Sequence, residues 1–228
     1  MQTDDQGEAS VGGGPRTIGR LLGASLELQA TLAAIVDAVV PDLADWCYVD
    51  MVRPDGGLER AATAAVDLPP VEALLESTRR WPNGPDDTGG ASRVVLTGER
   101  LLIPTATDEH PAALAKSSEH LGLLRGAGYS SYLCVPVRAG GRVVGALTLV
   151  TAESGRRLEA SDVALAQDVA ARTAMALQNA ELSREAQQSS ALLDSLYDSA
   201  PIGLGFWNRE LRYVRVNDAL ARINERSP

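Results

Sequence analysis

The chain has 228 residues, 45% of them hydrophobic, with a formal net charge of −9 and no run of basic residues, so nothing supplies the positive stripe that a nucleic-acid groove needs. Its longest apolar stretches fall short of the ~20 residues of a membrane span, and Met1 to Ser10 carries acids where a secretory signal would carry positive charge. Cys47 and Cys134 form no CxxC and have no His at metal-ligand spacing, so a cytoplasmic chain with reduced thiols and no metal site is expected, of a length for one domain plus a fragment or for two small domains.

Residues 1–15 are polar and end in Val-Gly-Gly-Gly-Pro, which predicts a disordered leader. From Thr17 a helix is expected. Leu28, Leu32, Ile35, Val36 and Val39 recur at helical spacing until Pro41 stops the run. Ala44–Val52 and Leu58–Val66 read as strands around Pro54-Asp55-Gly56-Gly57, a hairpin whose glycines supply positive φ. Val71–Arg80 reads as a short helix, 81–90 as a loop and Ala91–Leu96 as a second short helix. A strand at Arg100–Ile103, a loop over 104–110 and a helix at Ala112–Leu124 follow. Tyr129–Val137 and Arg142–Thr151 form a second hairpin across Arg138-Ala-Gly-Gly141.

Asp162 to about Leu196 reads as one long helix without an internal proline. Val163, Ala166, Ala170, Thr173, Leu177 and Ala180 follow one another in alternating steps of three and four, the seam of a helix packed on another helix. The sequence predicts that this seam also pairs the chain with a second copy, so that Ala170→Asp with Leu177→Asp yields a monomer. The seam continues weakly through Leu182, Ala186, Ser189, Leu193 and Leu196. After Pro201, strands are expected at Gly203–Trp207 and Leu211–Val216, with Asn217 as the N-cap of a helix.

No catalytic residues are predicted. The chain lacks a serine nucleophile elbow, a kinase phosphate-loop set and a cluster of acids at metal spacing. The Gly-Gly pairs at 56–57, 89–90 and 140–141 are not followed by Lys-Ser/Thr and read as turns, and Asp86-Asp87 as a solvated loop. In the first strand Cys47, Val49 and Met51 share one face, and Trp46, Tyr48 and Asp50 the other. Two rings and a carboxylate on that second face suit a planar or cationic small molecule, or else fill a closed core.

The order of elements resembles the GAF domain over residues 17–184, and three stretches carry the likeness: Tyr132-Leu-Cys-Val-Pro-Val137, Gly141-Arg-Val-Val-Gly-Ala-Leu-Thr-Leu149, and Leu158-Glu-Ala-Ser-Asp162 with the helix after it. Leu158 stands where that pattern usually has Phe. Asp45-Trp46-Cys47 is similar to GAF domains set beside PAS domains in actinobacterial sensor kinases and serine phosphatases. Leu192 to Gly203, Trp207-Asn-Arg-Glu and Arg212 to Asn217 resemble the opening of a PAS domain, cut short because 191–228 is below the ~40 residues an isolated domain needs.

The resemblance implies an α+β fold with a central antiparallel sheet, terminal helices on one face, a helix-and-loop cap (residues 69–127) on the other and a long C-terminal signalling helix. It divides the chain into a GAF domain at 16–184, a linker helix at 185–200 and an incomplete PAS segment at 201–228. A ligand pocket is implied under the cap, with Trp46, Tyr48, Asp50, Tyr132, Cys134 and His120 as its candidates. No cofactor is assigned: Glu119 and Lys116 beside His120 suggest a solvated helix face and not a haem ligand, Cys134 lacks the neighbouring His of a bilin attachment site, and the cyclic-nucleotide signature is missing. The function implied is a non-catalytic, homodimeric sensory module. The alternatives are the regulatory portion of a larger histidine kinase or serine/threonine phosphatase, and a ligand-free scaffold.

Overall fold

A computed structural model describes residues 26–67, 75–84 and 86–224. The expected leader and residues 17–25, where a helix is expected to begin, lie outside the described residues, as do 71–74 of the helix expected at Val71–Arg80, whose remainder, 75–80, is helical. The chain divides into two compact units, Met1–Gln178 and Asn179–Pro228.

The first unit is built on α1 (Leu26–Asp37), β1 (Trp46–Val52), β2 (Leu58–Ala65), α2 (Gly90–Thr97), β3 (Leu101–Ile103), α3 (Glu109–Leu114), α4 (Ser118–Gly126), β4 (Ser131–Ala139), β5 (Arg142–Thr151) and the start of α5 (Ala160–Ser199). Its strands form one antiparallel sheet in the order β2-β1-β5-β4-β3. β4 and β5 meet through Gly140 (φ 56°) and Gly141 (φ 76°), a two-residue turn that needs left-handed backbone at both positions.

Period-two alternation gives the sheet two unlike faces. Cys47, Val49, Met51, Leu133, Val135, Val137, Leu147 and Leu149 are fully buried on one of them. On that side α1 packs against β1 and β2, and α5 buries Val163, Ala166, Ala170, Thr173, Ala174 and Leu177. Each of the larger side chains here contributes roughly 1.5–3 kcal/mol by leaving water. The opposite face carries Trp46, Cys134, Ala146 and Val150, covered by Ala91 and Val94 of α2.

Several expectations need correction. The loop expected over 104–110 ends at 108, and the one helix expected at Ala112–Leu124 is two short helices. Ala115 turns extended (ψ 130°), and the Ser117 hydroxyl then accepts the His120 N–H, restarting the chain as α4. The second hairpin begins two residues later than expected and keeps the same faces. The seam on α5 packs within the chain. Val163, Ala166, Ala170, Thr173 and Leu177 are buried inside a single chain, and Ala180 is half-buried. Steps of three and four mark the face that a helix turns to its own domain as readily as one it turns to a partner.

In α5 the Asp162 carboxylate accepts the Glu159 N–H at 2.8 Å and the Arg156 Nη2 at 2.6 Å, half of a capping box at the helix start. Leu158, where Phe was expected, is fully buried.

The second unit contains the end of α5, the hairpin β6 (Gly205–Trp207) and β7 (Tyr213–Val216), and α6 (Asp218–Ile223). Asn217 caps α6 as the sequence predicts, with its Oδ1 accepting the Leu220 N–H at 3.0 Å. Phe206, Trp207, Tyr213 and Val214 are exposed.

Candidate functional site

β1 turns Tyr48 and Asp50 toward the cap, β4 turns Tyr132 the same way, and α4 brings His120 down onto them. These four border one cavity of about 110 Å³, together with Arg60, Trp81, Asn83 and Leu114. Trp46 and Cys134 do not border it. Both are packed in the surrounding core with Ala91, Val94 and Val150. Four of the six residues singled out in the sequence therefore meet around one space, and two are filling.

Asp50 is 2% exposed, and Arg60 holds it with two bonds, Nε to Oδ1 at 2.8 Å and Nη2 to Oδ2 at 3.1 Å. The guanidinium carbon lies 3.7 Å from the centre of the Tyr48 ring, a cation–π contact in a desolvated place. Burial pulls the Arg60 pKa down, but the charge of Asp50 outweighs it and raises the net value. Burial likewise raises the phenols of Tyr48 and Tyr132, so both keep their O–H. The Thr148 hydroxyl points at Cys134 Sγ from 3.3 Å, and burial pushes that thiol up to about 12. A group that stays protonated is no nucleophile.

His120 is the largest departure from expectation at the site. It is 7% exposed and not on a solvated face, because its ring stacks on Trp81 with centroids 4.8 Å apart and planes 6° from parallel. Its Nδ1 accepts the Lys116 N–H at 3.2 Å, which leaves the ring hydrogen on Nε2. Burial, and secondarily the Lys116 charge, lower its pKa. Lys116, the sole lysine of the chain, donates from Nζ to the Pro82 carbonyl at 2.5 Å and to Asp87 at 2.7 Å. Residues 81–84 and 86–89 of the loop expected over 81–90 thus form a strap at the cavity, fastened by Lys116 and by the Trp81–His120 stack.

Arg60, Trp81 and Asn83 are site residues that sequence reasoning missed. Arg60 had a signal, because pairing Val52 with Leu58 around the turn sets Asp50 opposite Arg60, the observed register. Nothing in the composition of 81–90 pointed inward. A second cavity, of about 470 Å³, lies beside the first and is bordered by Leu101, Ile103, His110, Leu114, Tyr129 and Tyr132. A third, of about 620 Å³, opens along the outer strand β2. Among the described residues no group of three or more His, Cys, Asp or Glu is placed to hold a metal ion, and no helix is long and apolar enough to cross a membrane.

A five-stranded antiparallel sheet with terminal helices on one face and a helix-and-loop cap on the other defines one class of α+β domain. The chain belongs to the GAF domain family, whose model matches residues 27–177. GAF domains are sensory and regulatory modules of signal transduction.

Solved structures agree on the fold. The GAF domain of a phosphoenolpyruvate-protein phosphotransferase from Coxiella burnetii superposes with a TM-score of 0.53 at 20% identity, covering 75% of this chain and 94% of its own. A segment of a methyl-accepting chemotaxis protein gives 0.53 at 16%, covering 72% and 97%. A GAF domain of Synechocystis sp., solved in its photoproduct state, gives 0.52 at 22%, covering 70% and 99%. Among curated proteins none matches this chain.

Proposed function

We propose that this chain is a cytoplasmic sensory module that takes a small molecule beneath the cap and passes the event on through α5 as a homodimer. The observation that carries this reading is the convergence of Tyr48, Asp50, Arg60, His120 and Tyr132 on one cavity. Tyr48 and Tyr132 stand on strands whose opposite sides, at Val49 and Leu133, are part of the face covered by the terminal helices. A ligand that shifts β1 or β4 therefore presses on the helix layer as well.

The partner surface in this reading is not the buried seam but the other side of the helix. Leu165, Met175, Leu182, Leu193 and Leu196 are exposed. At 3.6 residues per turn Met175 lies about 160° round the axis from buried Leu177. Leu182, Ala186, Ser189, Leu193 and Leu196 then follow in steps of four and three, the spacing of a two-helix seam. In the same reading residues 201–228 are the start of a PAS-type domain, and the chain is the regulatory portion of a larger actinobacterial signalling protein, a histidine kinase or a serine/threonine phosphatase.

A ligand-free scaffold is the second reading. It is favoured by the small size of the inner cavity, room for three or four waters at ~30 Å³ each. Native mass spectrometry of the purified chain, followed by the same sample denatured, separates the two. A dimer with an added mass that denaturation releases supports sensing, a bare dimer supports the scaffold, and a bare monomer removes the helix-pairing mechanism.

A further inference from the structure

The inner cavity of about 110 Å³ and the neighbouring cleft of about 470 Å³ share four bordering residues: Gly89, Gly90, Leu114 and Tyr132. A Cβ on Gly89 would collide with Leu114 Cδ2, and one on Gly90 would stand 3.4 Å from the same atom and 3.5 Å from the Tyr132 oxygen. The Gly-Gly pair thus lets Leu114 close against the loop, and Leu114 borders both spaces there. Leu114 is the last residue of the six-residue helix α3, and the chain turns extended directly after it. A small rotation of that helix end moves Leu114.

The two spaces differ in chemistry. The cleft is lined mainly by Leu101, Leu102, Ile103, Ala113 and Tyr129, with Arg93, Glu109 and His110 also bordering it, and its volume falls in the ~300–1,000 Å³ range of small-molecule sites. The inner cavity is bordered by Tyr48, Trp81, Asn83, His120 and Tyr132, each of which carries a donor, and by the Asp50–Arg60 pair. Its one cation, Arg60, is already matched by Asp50. An anion entering would bring a second negative charge beside Asp50 into a place poor in water, which is costly. A neutral carbonyl can accept from these donors without adding a charge beside Asp50.

We propose that the two cavities are compartments of one elongated site divided by Leu114, and that its ligand is a neutral molecule with a carbonyl or amide head for the inner compartment and an aryl or alkyl body for the cleft. This rests on the reading that the capped cavity is a binding site. The inner compartment is below the ~150 Å³ at which a buried apolar cavity takes up benzene, so it admits the head and not a ring.

The test uses two probes with one body: 3-phenylpropanamide, neutral, and 3-phenylpropanoate, anionic, each titrated into the full chain by calorimetry. The amide is expected to bind, and the propanoate at least tenfold more weakly. Leu114→Ala, or Leu114→Val if the first variant loses its dispersed amide spectrum, is expected to bind the amide at least threefold more tightly. Equal binding of both probes, or preference for the anion, overturns the neutral head. A folded Leu114 variant with unchanged affinity overturns the partition. If neither probe binds but native mass spectrometry finds a co-purified small molecule, the ligand class is wrong and the sensor reading stands. If neither probe binds and no added mass is found, both fall together.

Discussion

Asp50 and Arg60 face each other across the register step between Val49 and Asp50 where β1 meets β2, and the guanidinium closes on the carboxylate at 2.8 and 3.1 Å. The irregularity brings Arg60 opposite Asp50. Removing one partner leaves the other charge buried, and a stranded buried charge costs far more than the intact pair contributes. Arg60→Ala is expected to destabilise the first unit by about 3 kcal/mol in chemical denaturation. The double variant Asp50→Asn with Arg60→Gln is expected to lose clearly less than the sum of the two single changes. A loss below about 1 kcal/mol for Arg60→Ala would show that water reaches Asp50 freely.

His120 sets a second expectation, in pH. Burial holds its folded pKa below the ordinary 6.5, with Lys116 adding to the effect. As pH falls through 6.5, the unfolded chain takes up a proton that the folded chain still refuses. The stabilisation from neutral His120 is therefore complete above 6.5 and declines below it. The Lys116 N–H bonds the ring, Arg80 lies over the Trp81 ring that stacks on it and pairs with Glu119, and Asp50 and Arg60 border the cavity with it. Asp87 is buried enough to raise its pKa, but the Lys116 bond lowers it net, so its contribution fades only below 3.8. A melting temperature that drops between pH 7.5 and 5, and a flatter profile in His120→Gln, are expected. An unchanged slope in the variant would assign the effect to another group.

Asn217 is wholly buried, and its amide is spent on the backbone. Oδ1 accepts from the Leu204 and Leu220 N–H groups at 2.8 and 3.0 Å, while Nδ2 faces the carbonyls of Ile202, Tyr197 and Ala200 at 2.9, 3.1 and 3.4 Å. Asn217→Asp keeps the shape and loses the donor, setting a carboxylate against three carbonyls. It should cost the second unit at least about 2 kcal/mol. Hydrogen exchange would then show β6 and β7 losing protection while β1, β4 and β5 keep theirs. Uniform loss across both units would mean that they unfold as one.

The sheet was legible because its signals are local. Each hairpin carries its own Gly-Gly turn, and alternation in β1 separates Cys47, Val49 and Met51 from Trp46, Tyr48 and Asp50 without knowledge of the rest. The site was legible only where it stands on strands. Trp81 and Asn83 come from a loop with no periodicity, and they reach the cavity because Lys116, distant in sequence, fastens them. His120 misled for a related reason. Its neighbours Glu119 and Lys116 point to water and to the strap, while its own ring turns inward onto Trp81. The α5 seam was legible only as a covered face, since spacing reports that a face is covered and not what covers it.

That ambiguity yields the last expectation. Ala170 is 3% exposed, so Ala170→Asp puts an unpaired charge into the core of its own unit. The variant should unfold or melt far earlier, and it should not give a well-folded monomer. Leu182→Glu with Leu193→Glu changes side chains that are 64% and 63% exposed, and should leave the circular dichroism of the chain unaltered. If the exposed stripe pairs two copies, analytical ultracentrifugation will show a wild-type dimer and a folded monomeric double variant. A dimer that survives both leucine changes would move the interface off α5, and a folded, monomeric Ala170→Asp chain would restore the buried seam as the pairing surface.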